Sequence, residues 1–368
     1  MSESTPSRAR TALAALLLFV TALAISAAIL ELGVRTFLGT QVKFPRHVVG
    51  APWGLRINEP GAVYRHHSPD VLIWFRIDAQ GMRADRDYAY EKPPGVQRIV
   101  SLGDSFTAGY EVEGNETFSA VLERELNSKG RRVEVLNTGV SGFSNAEELL
   151  YLERELWRYE PDVVLLSFFV NDIVDNVRTG LFALENGTLV PRAQSYVPAG
   201  AIGNFLNTNF VFNLLSERSD AFALLKEKAT LLLKRRMVEE NLQNVSGAAA
   251  AAGPAPGAEP AEAPYGQRLT VAILDAIAAS CRARGVPFVL QSIPYEIPAT
   301  KELVDGLPKG FDSTQEGVHL LRAAAVLAPY AGREPLYYPR SHYHWTPLSH
   351  RLSGEALAAL IEGQHLLD

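Results

Sequence analysis

The chain has 368 residues and a single cysteine, Cys281. One thiol excludes a disulfide framework and any zinc site built on cysteine. An excess of positive charge is also missing. There are 35 basic and 41 acidic residues, a net charge of −6, and no basic block interleaves with aromatics. That excludes nucleic-acid binding as the main task, because such proteins present a basic face to the phosphate backbone. Charged residues make up 21% and apolar residues 47%, which excludes a wholly disordered or collagen-like chain and leaves ample material for a core. No internal repeat is visible.

Long hydrophobic runs are absent with one exception. Thr11 to Leu30 (TALAALLLFVTALAISAAIL) carries no charge and is bracketed by Arg8 and Arg10 before it and Glu31 after it. Twenty such residues at a rise of 1.5 Å span about 30 Å, the thickness of the bilayer's hydrocarbon. The run exceeds the roughly 7–15 apolar residues of a signal peptide. Residues 11–30 are therefore read as a retained transmembrane anchor after a short tail, 1–10, with cleavage near the small residues of AISAA as the alternative. Basic residues on both sides (Arg8 and Arg10; Arg35, Lys43 and Arg46) give no decisive bias. The ten-residue basic tail is easily retained inside while the large domain is exported, which places that domain in the periplasm of a bacterium, on a single-pass inner-membrane protein.

Residues 31–95 form a juxtamembrane segment rich in proline, glycine and aromatics, with a short β-like run at 71–77 (VLIWFRI). A clear alternation follows. VQRIVSL (96–102) reads as a buried strand. Phe118, Val121, Leu122 and Leu126 recur at helical spacing up to the stop at Gly130. Val133–Leu136 is a second strand. Ser144 and Glu147 form a capping box for a helix to about Tyr159, ended by Pro161. DVVLLSFF (162–169) is a third strand. This order is the mark of a parallel α/β sheet. The pattern lapses over 176–264, an insertion with aromatics (Phe205, Phe210, Phe212), a helical run 221–244 and an Ala/Pro/Gly tract, 246–264, read as a flexible linker. It resumes with a helix through Leu269, Ile273 and Ile277, a strand at 287–293, and an amphipathic helix at 348–361. The insertion thus interrupts one domain, 96–368.

Four stretches lie where strands give way to helices, the place where open α/β sheets bind ligands. They are Gly103-Asp104-Ser105, Gly139-Val140-Ser141-Gly142, Asn171-Asp172, and His342-Tyr343-His344-Trp345 before the last helix. Taken singly each is commonplace: a capped turn, a turn glycine, an Asx turn, a surface or core histidine. Their joint occurrence in this order resembles the SGNH, or GDSL, hydrolase family over about 96–176 and 265–365. The blocks are GDSFTAG (103–109), NTGVSG (137–142), Asn171-Asp172 and HYHW (342–345). The stretch QGMRADRDYAYEKPPG (80–95) also looks like membrane-anchored bacterial members.

The resemblance implies a three-layer α/β sandwich around a central parallel sheet, flavodoxin-like in order. It also implies Ser105 as nucleophile, His344 as base, and an oxyanion hole from the N–H groups of Ser105 and Gly142 with the Asn171 amide. The residue types suit that chemistry. Ester hydrolysis needs a nucleophile, a group to take its proton and donors for the oxyanion. Histidine titrates near neutrality, and glycine at 142 admits close approach to the backbone. No G-x-S-x-G elbow is present. Neither cofactor nor metal is expected; His342, His344 and His350 are only a weak metal signal, and Arg65-His66-His67 reads as a solvated loop.

Two positions depart from the family. Phe169 stands where glycine usually precedes the asparagine by two residues, which narrows the cleft unless the backbone shifts. The usual aspartate, two or three residues before the histidine, is replaced by His342 and Ser341. Either Ser105 and His344 act as a dyad with help from neutral His342, or a distant carboxylate such as Asp172 or Asp175 orients His344, or the site is slow or silent. The expected function is a serine esterase acting on acyl or acetyl esters of small molecules or of cell-envelope glycan. An O-acyltransferase and a silent glycan-binding protein are the alternatives. The insertion is expected to cover the cleft.

Overall fold

The computed structural model describes residues 8–38, 47–196, 209–252 and 264–368. Lys43, Arg46, Phe205 and most of the Ala/Pro/Gly tract lie outside the described residues. Five apolar runs form one parallel sheet: β1 (Gln97–Gly103), β2 (Val133–Asn137), β3 (Val163–Phe168), β4 (Phe288–Ser292) and β5 (Val318–Arg322). The spatial order is β5-β4-β3-β1-β2, every pair parallel, as the sandwich reading requires. The order reverses between β1 and β3, so their C-terminal ends open a crevice that no crossover covers. β5 was not apparent in the sequence. It is an edge strand, only half-buried, and His319 and Arg322 interrupt its apolar run.

Alternation along each strand sends side chains to two cores. Val100, Leu102, Val164, Leu166 and Leu290 face α4 (Asn145–Arg154) and α8 (Tyr265–Ala283). Ile99, Val163, Leu165 and Val289 face α3 (Phe118–Ser128) and α10 (Pro347–Gly363). The Ser144–Glu147 capping box forms in both directions and starts α4. The helix is shorter than expected: it stops at Arg154, and a 3₁₀ turn continues to Tyr159.

Two short helices complete the site's framework, α2 (Ser105–Ala108) and α5 (Asp172–Thr179), and α9 (Ala323–Leu327) follows β5. The insertion contributes a hairpin (Phe182–Glu185, Thr188–Pro191), α6 (Phe210–Arg218) and α7 (Asp220–Ala252). The expected linker therefore begins as helix, since alanine is the strongest helix former and carries Ser246–Ala252 into α7. Helix α1 (Arg8–Phe37) contains the long apolar run, and Arg10–Leu30 is exposed throughout.

Helices α3 and α10 meet through a glycine. A Cβ on Gly354 would lie 2.6 Å from Val121 Cβ and 2.7 Å from the Phe118 carbonyl oxygen. Gly354→Ala should therefore destabilise the domain by about 1–3 kcal/mol through overpacking. Thermal unfolding of the variant checks this, and an unchanged transition would mean that the two helices separate without cost.

Candidate active site

The site is assembled at the crevice between β1 and β3. Asp104 caps α2, accepting from the Phe106 N–H at 2.9 Å, and this turn holds Ser105 at the helix start. Gly103 is obligatory there: its φ is +152°, and a Cβ would fall 2.0 Å from Thr107 Oγ1. The Gly139–Gly142 loop lies directly on α2, where a Cβ at Gly139 would come within 2.3 Å of the Ala108 nitrogen. Its far end is fixed by two buried arginines. Arg56 and Arg178 both donate to the Gly142 carbonyl, the latter at 3.2 Å, and Arg56 Nε also reaches Glu147 Oε1 at 3.1 Å.

His344 arrives on a hairpin (Tyr337–Tyr338 with His344–Trp345). Its Nε2 lies 2.9 Å from Ser105 Oγ. Both residues are largely buried. The imidazole packs edge-on against Phe106, 5.2 Å between centroids, and Trp345 behind it is completely buried.

The position beside Nδ1 is taken by Glu111, at 3.5 Å. This corrects the three candidates named for orienting the imidazole. His342 is exposed, with its ring centroid 6.3 Å from that of His344. It and Tyr343 have φ of +56° and +55°, so the chain turns sharply and directs them outward. Asp172 is buried elsewhere, accepting from the Phe169 N–H at 3.0 Å and the Asn145 amide at 3.2 Å. Asp175 pairs with Arg178. Glu111 follows Ser105 by six residues, in the loop after α2, with φ of +74°. The only signal for it in the sequence is a carboxylate between two apolar residues, Tyr110-Glu111-Val112.

Glu111 is fully buried and has a second imidazole partner. His66 Nε2 lies 2.9 and 3.0 Å from its two oxygens. Burial alone would raise the carboxyl's pKa, but the hydrogen bonds from His344 and His66 reverse that and hold it at about 2. His66 is thus no part of a solvated loop. It sits on a hairpin, Val63–His67 with Leu72–Arg76, whose alternating pattern points His66, Ile73 and Phe75 inward. The same hairpin grips the histidine loop: Ser341 Oγ donates to Asp70 at 2.6 Å, and Arg340 to the Pro69 carbonyl at 2.8 Å.

Asn171 ends β3's loop and begins α5. Its carboxamide is one of the groups that work against the rise in the Asp104 pKa, and a carboxamide nitrogen carries two N–H donors. Behind it lies a group of buried carboxyls. Burial pushes Asp104 up to about 6 and Glu148 up to about 8, and burial with the Glu148 charge raises Asp172 well above the usual range. Among the described residues no group of three His, Cys, Asp or Glu side chains could hold a metal ion. His350, one of the three histidines weighed for that role, instead accepts from the Phe118 N–H at 3.2 Å through Nδ1, and burial depresses its pKa to about 3.

A cleft of about 210 Å³ is lined by Phe169, Tyr295, Glu296, Pro298, Tyr337 and Tyr343, the last of these the chain neighbour of His344; Ser105 and His344 do not themselves line it. Phe169 is one of its walls, and its ring lies 4.7 Å from that of Phe106, the residue after Ser105. No described residue of the insertion is among the residues that line it. Asn241 of α7 instead caps the far end of α5, donating to the Val177 and Arg178 carbonyls at 2.9 and 3.0 Å.

The model of the GDSL-like lipase/acylhydrolase family matches residues 101–352. The chain belongs to this family. An arylesterase of Vibrio mimicus is 32% identical over 76 residues, 21% of this chain and 38% of that protein. Among solved structures, TesA is 14% identical with a TM-score of 0.40, over 73% of this chain and 99% of that one. The psychrotrophic esterase EstA from a Pseudoalteromonas species is 15% identical with the same score, over 73% and 98%. In this GDSL-family chain the four sequence blocks converge on one crevice, and the element that sequence reading did not supply is the Glu111–His66 pair.

The raised carboxyls set a pH dependence of stability. A carboxyl with a higher pKa folded than unfolded binds more protons in the folded state, so stability falls as pH rises between the two values. For Glu148 that window runs from 4.5 to about 8. The melting temperature should fall across it, and Glu148→Gln should flatten the fall. Equal slopes for the two proteins would show that Glu148 is ionised throughout. Glu111 acts oppositely: its contribution is present above 4.5 and is lost as pH falls toward about 2.

Proposed function

We propose that the chain hydrolyses carboxylic esters through a covalent acyl-serine. The observation that carries this reading is the line Ser105–His344–Glu111. Ser105 Oγ attacks the ester carbonyl while His344 Nε2 takes its proton, and Glu111 holds the imidazole and stabilises the imidazolium that forms. The 3.5 Å separation is of the kind that shortens when the imidazole becomes charged. The oxyanion is met by the N–H groups of Ser105 and Gly142 and by the Asn171 amide. Collapse expels the alcohol, which receives the proton from His344. Water then adds to the acyl-serine with His344 again accepting its proton, and the acid leaves as Ser105 is restored.

Acetyl or other short acyl esters are the proposed substrates, including O-acetyl groups of cell-envelope carbohydrate. The aromatic cleft of about 210 Å³, with Phe169 as a wall, supports small groups. O-acyl transfer to a sugar hydroxyl shares the first half of the reaction, and product analysis with acceptor sugars separates the two. A silent binding protein was favoured by the missing aspartate, and a carboxylate at Nδ1 removes that support. We also propose that α1 crosses a bacterial inner membrane with the domain on the periplasmic side. Its uncharged, wholly exposed run supports this.

Ser105→Ala should abolish turnover of short esters and labelling by an organophosphonate, with the melting temperature retained. Turnover equal to that of the parent protein would sink the assignment.

Replacing Glu111 by glutamine should lower kcat by roughly 10⁴, the cost of an amide in place of a triad carboxylate. His342→Asp should give no gain, since Nδ1 already has its carboxylate. The opposite pair of results, a nearly silent Glu111→Gln and a faster His342→Asp, would return the acid's place to position 342.

A further inference from the structure

The helix α6 is built inside out. Phe210, Val211, Leu214 and Leu215 are 76, 58, 39 and 41% exposed, and their spacing of one and four residues puts them on a single face. The opposite face is the one in contact with protein. The Phe212 ring lies 5.3 Å from that of Phe222, and buried Ser216 accepts from Lys226 Nζ at 3.2 Å. Four large apolar side chains on a nine-residue helix are thus turned away from the fold.

Where this helix sits follows from its ties to α1. The side chain of Glu31, the first charge after the apolar run, accepts from the Ser219 hydroxyl at 2.8 Å and from the N–H groups of Asp220 and Ala221 at 2.9 and 3.0 Å. It thereby caps the start of α7. Arg35 donates to the Arg218 carbonyl at 2.8 Å, and Val34 is buried. The end of α6 and the start of α7 are therefore pinned to the turn where α1 ceases to be lipid-compatible. From there α7 leads back to α5, where Asn241 is bonded.

We propose that α6 lies in the membrane–water interface with Phe210, Val211, Leu214 and Leu215 in the acyl boundary, a second, in-plane contact with the bilayer beside the α1 anchor. The inference rests on α1 spanning the membrane. A helix this short binds lipid weakly by itself, but α1 holds it at the surface, so the search for the membrane has already been made. Interfacial helices bury the apolar face about 5–10 Å into the headgroup boundary, and Arg35 and Arg218, at the pinned end, suit the headgroup layer.

The test uses the full chain in vesicles of phosphatidylcholine and phosphatidylglycerol, with an environment-sensitive fluorophore on Phe19→Cys, Val211→Cys, Leu214→Cys or Leu232→Cys. Native Cys281 is buried, with its thiol pushed up to about 12, and stays unlabelled. Far-UV circular dichroism and thermal unfolding show that each variant is folded, and two positions on α6 guard against one failing. Probes at 19, 211 and 214 should shift to the blue and lose most of their emission to brominated lipid, while the probe at 232 responds to aqueous iodide. A lipid-quenched probe at 19 with iodide-quenched probes at 211 and 214 would overturn the proposal and leave the anchor standing. Probes at 211 and 214 shielded from both quenchers would overturn it in favour of a protein partner. A water-exposed probe at 19 would remove the anchor and the proposal together. No esterase activity is read, so none of these outcomes depends on the assignment of Ser105.

Discussion

A carboxylate buried away from water must be met on both oxygens or it will not stay charged. Glu111 meets that condition through two histidines that come from opposite ends of the chain. His344 closes the C-terminal side and His66 the N-terminal side, and the loop after α2 lies between them. The three segments have no local reason to meet. The ionised group gives them one, because each imidazole removed takes a partner from a buried charge. The φ of +74° at Glu111 is the conformational cost, of order 1–3 kcal/mol for a non-glycine residue, and the two hydrogen bonds offset it.

This constraint explains the weight carried by the stretch before β1. By length it resembles a connection between an anchor and a domain. It instead reaches three loops of the site. Asn58 donates to the Gly139 carbonyl at 3.0 Å, Arg56 to that of Gly142, His66 meets Glu111, and Ser68 and Asp70 hold Ser341. Arg83 closes the series, donating to the Val112 carbonyl at 3.1 Å. Once the acid sits after α2, the histidine loop loses its internal partner, and an outside segment supplies the grip.

The blocks of the site were legible in the sequence because each is a local event: a strand end, a capped turn, a glycine that permits close approach. Ser105, Gly142, Asn171 and His344 each sit at such an event. Glu111 was not legible, since its role depends on a contact between loops more than two hundred residues apart. His66 was masked by its neighbours. Arg65 and His67 point outward on the same strand and make the triplet look solvated, although the alternation that buries His66 was there to be read. β5 escaped because an edge strand keeps polar residues, and α7 ran long because alanine favours helix when no proline intervenes.

The two sides of the crevice differ in charge, and burial produces the difference. On the imidazole side Glu111 is ionised because two N–H donors face it. On the other side Glu148 and Asp172 share the Asn145 amide, Asp172 has one backbone N–H besides, and among the described residues no cation bonds either of them; both are pushed toward the neutral acid. In the proposed reaction this asymmetry has the right sense. Negative charge beside His344 stabilises the imidazolium. Negative charge behind Asn171 would oppose the oxyanion, and burial works against that charge. The aspartate that follows Asn171 therefore makes sense as a turn-forming residue, bonded to the Phe169 N–H and pushed by burial toward its neutral form, while the charge that the imidazole needs is provided from the opposite wall.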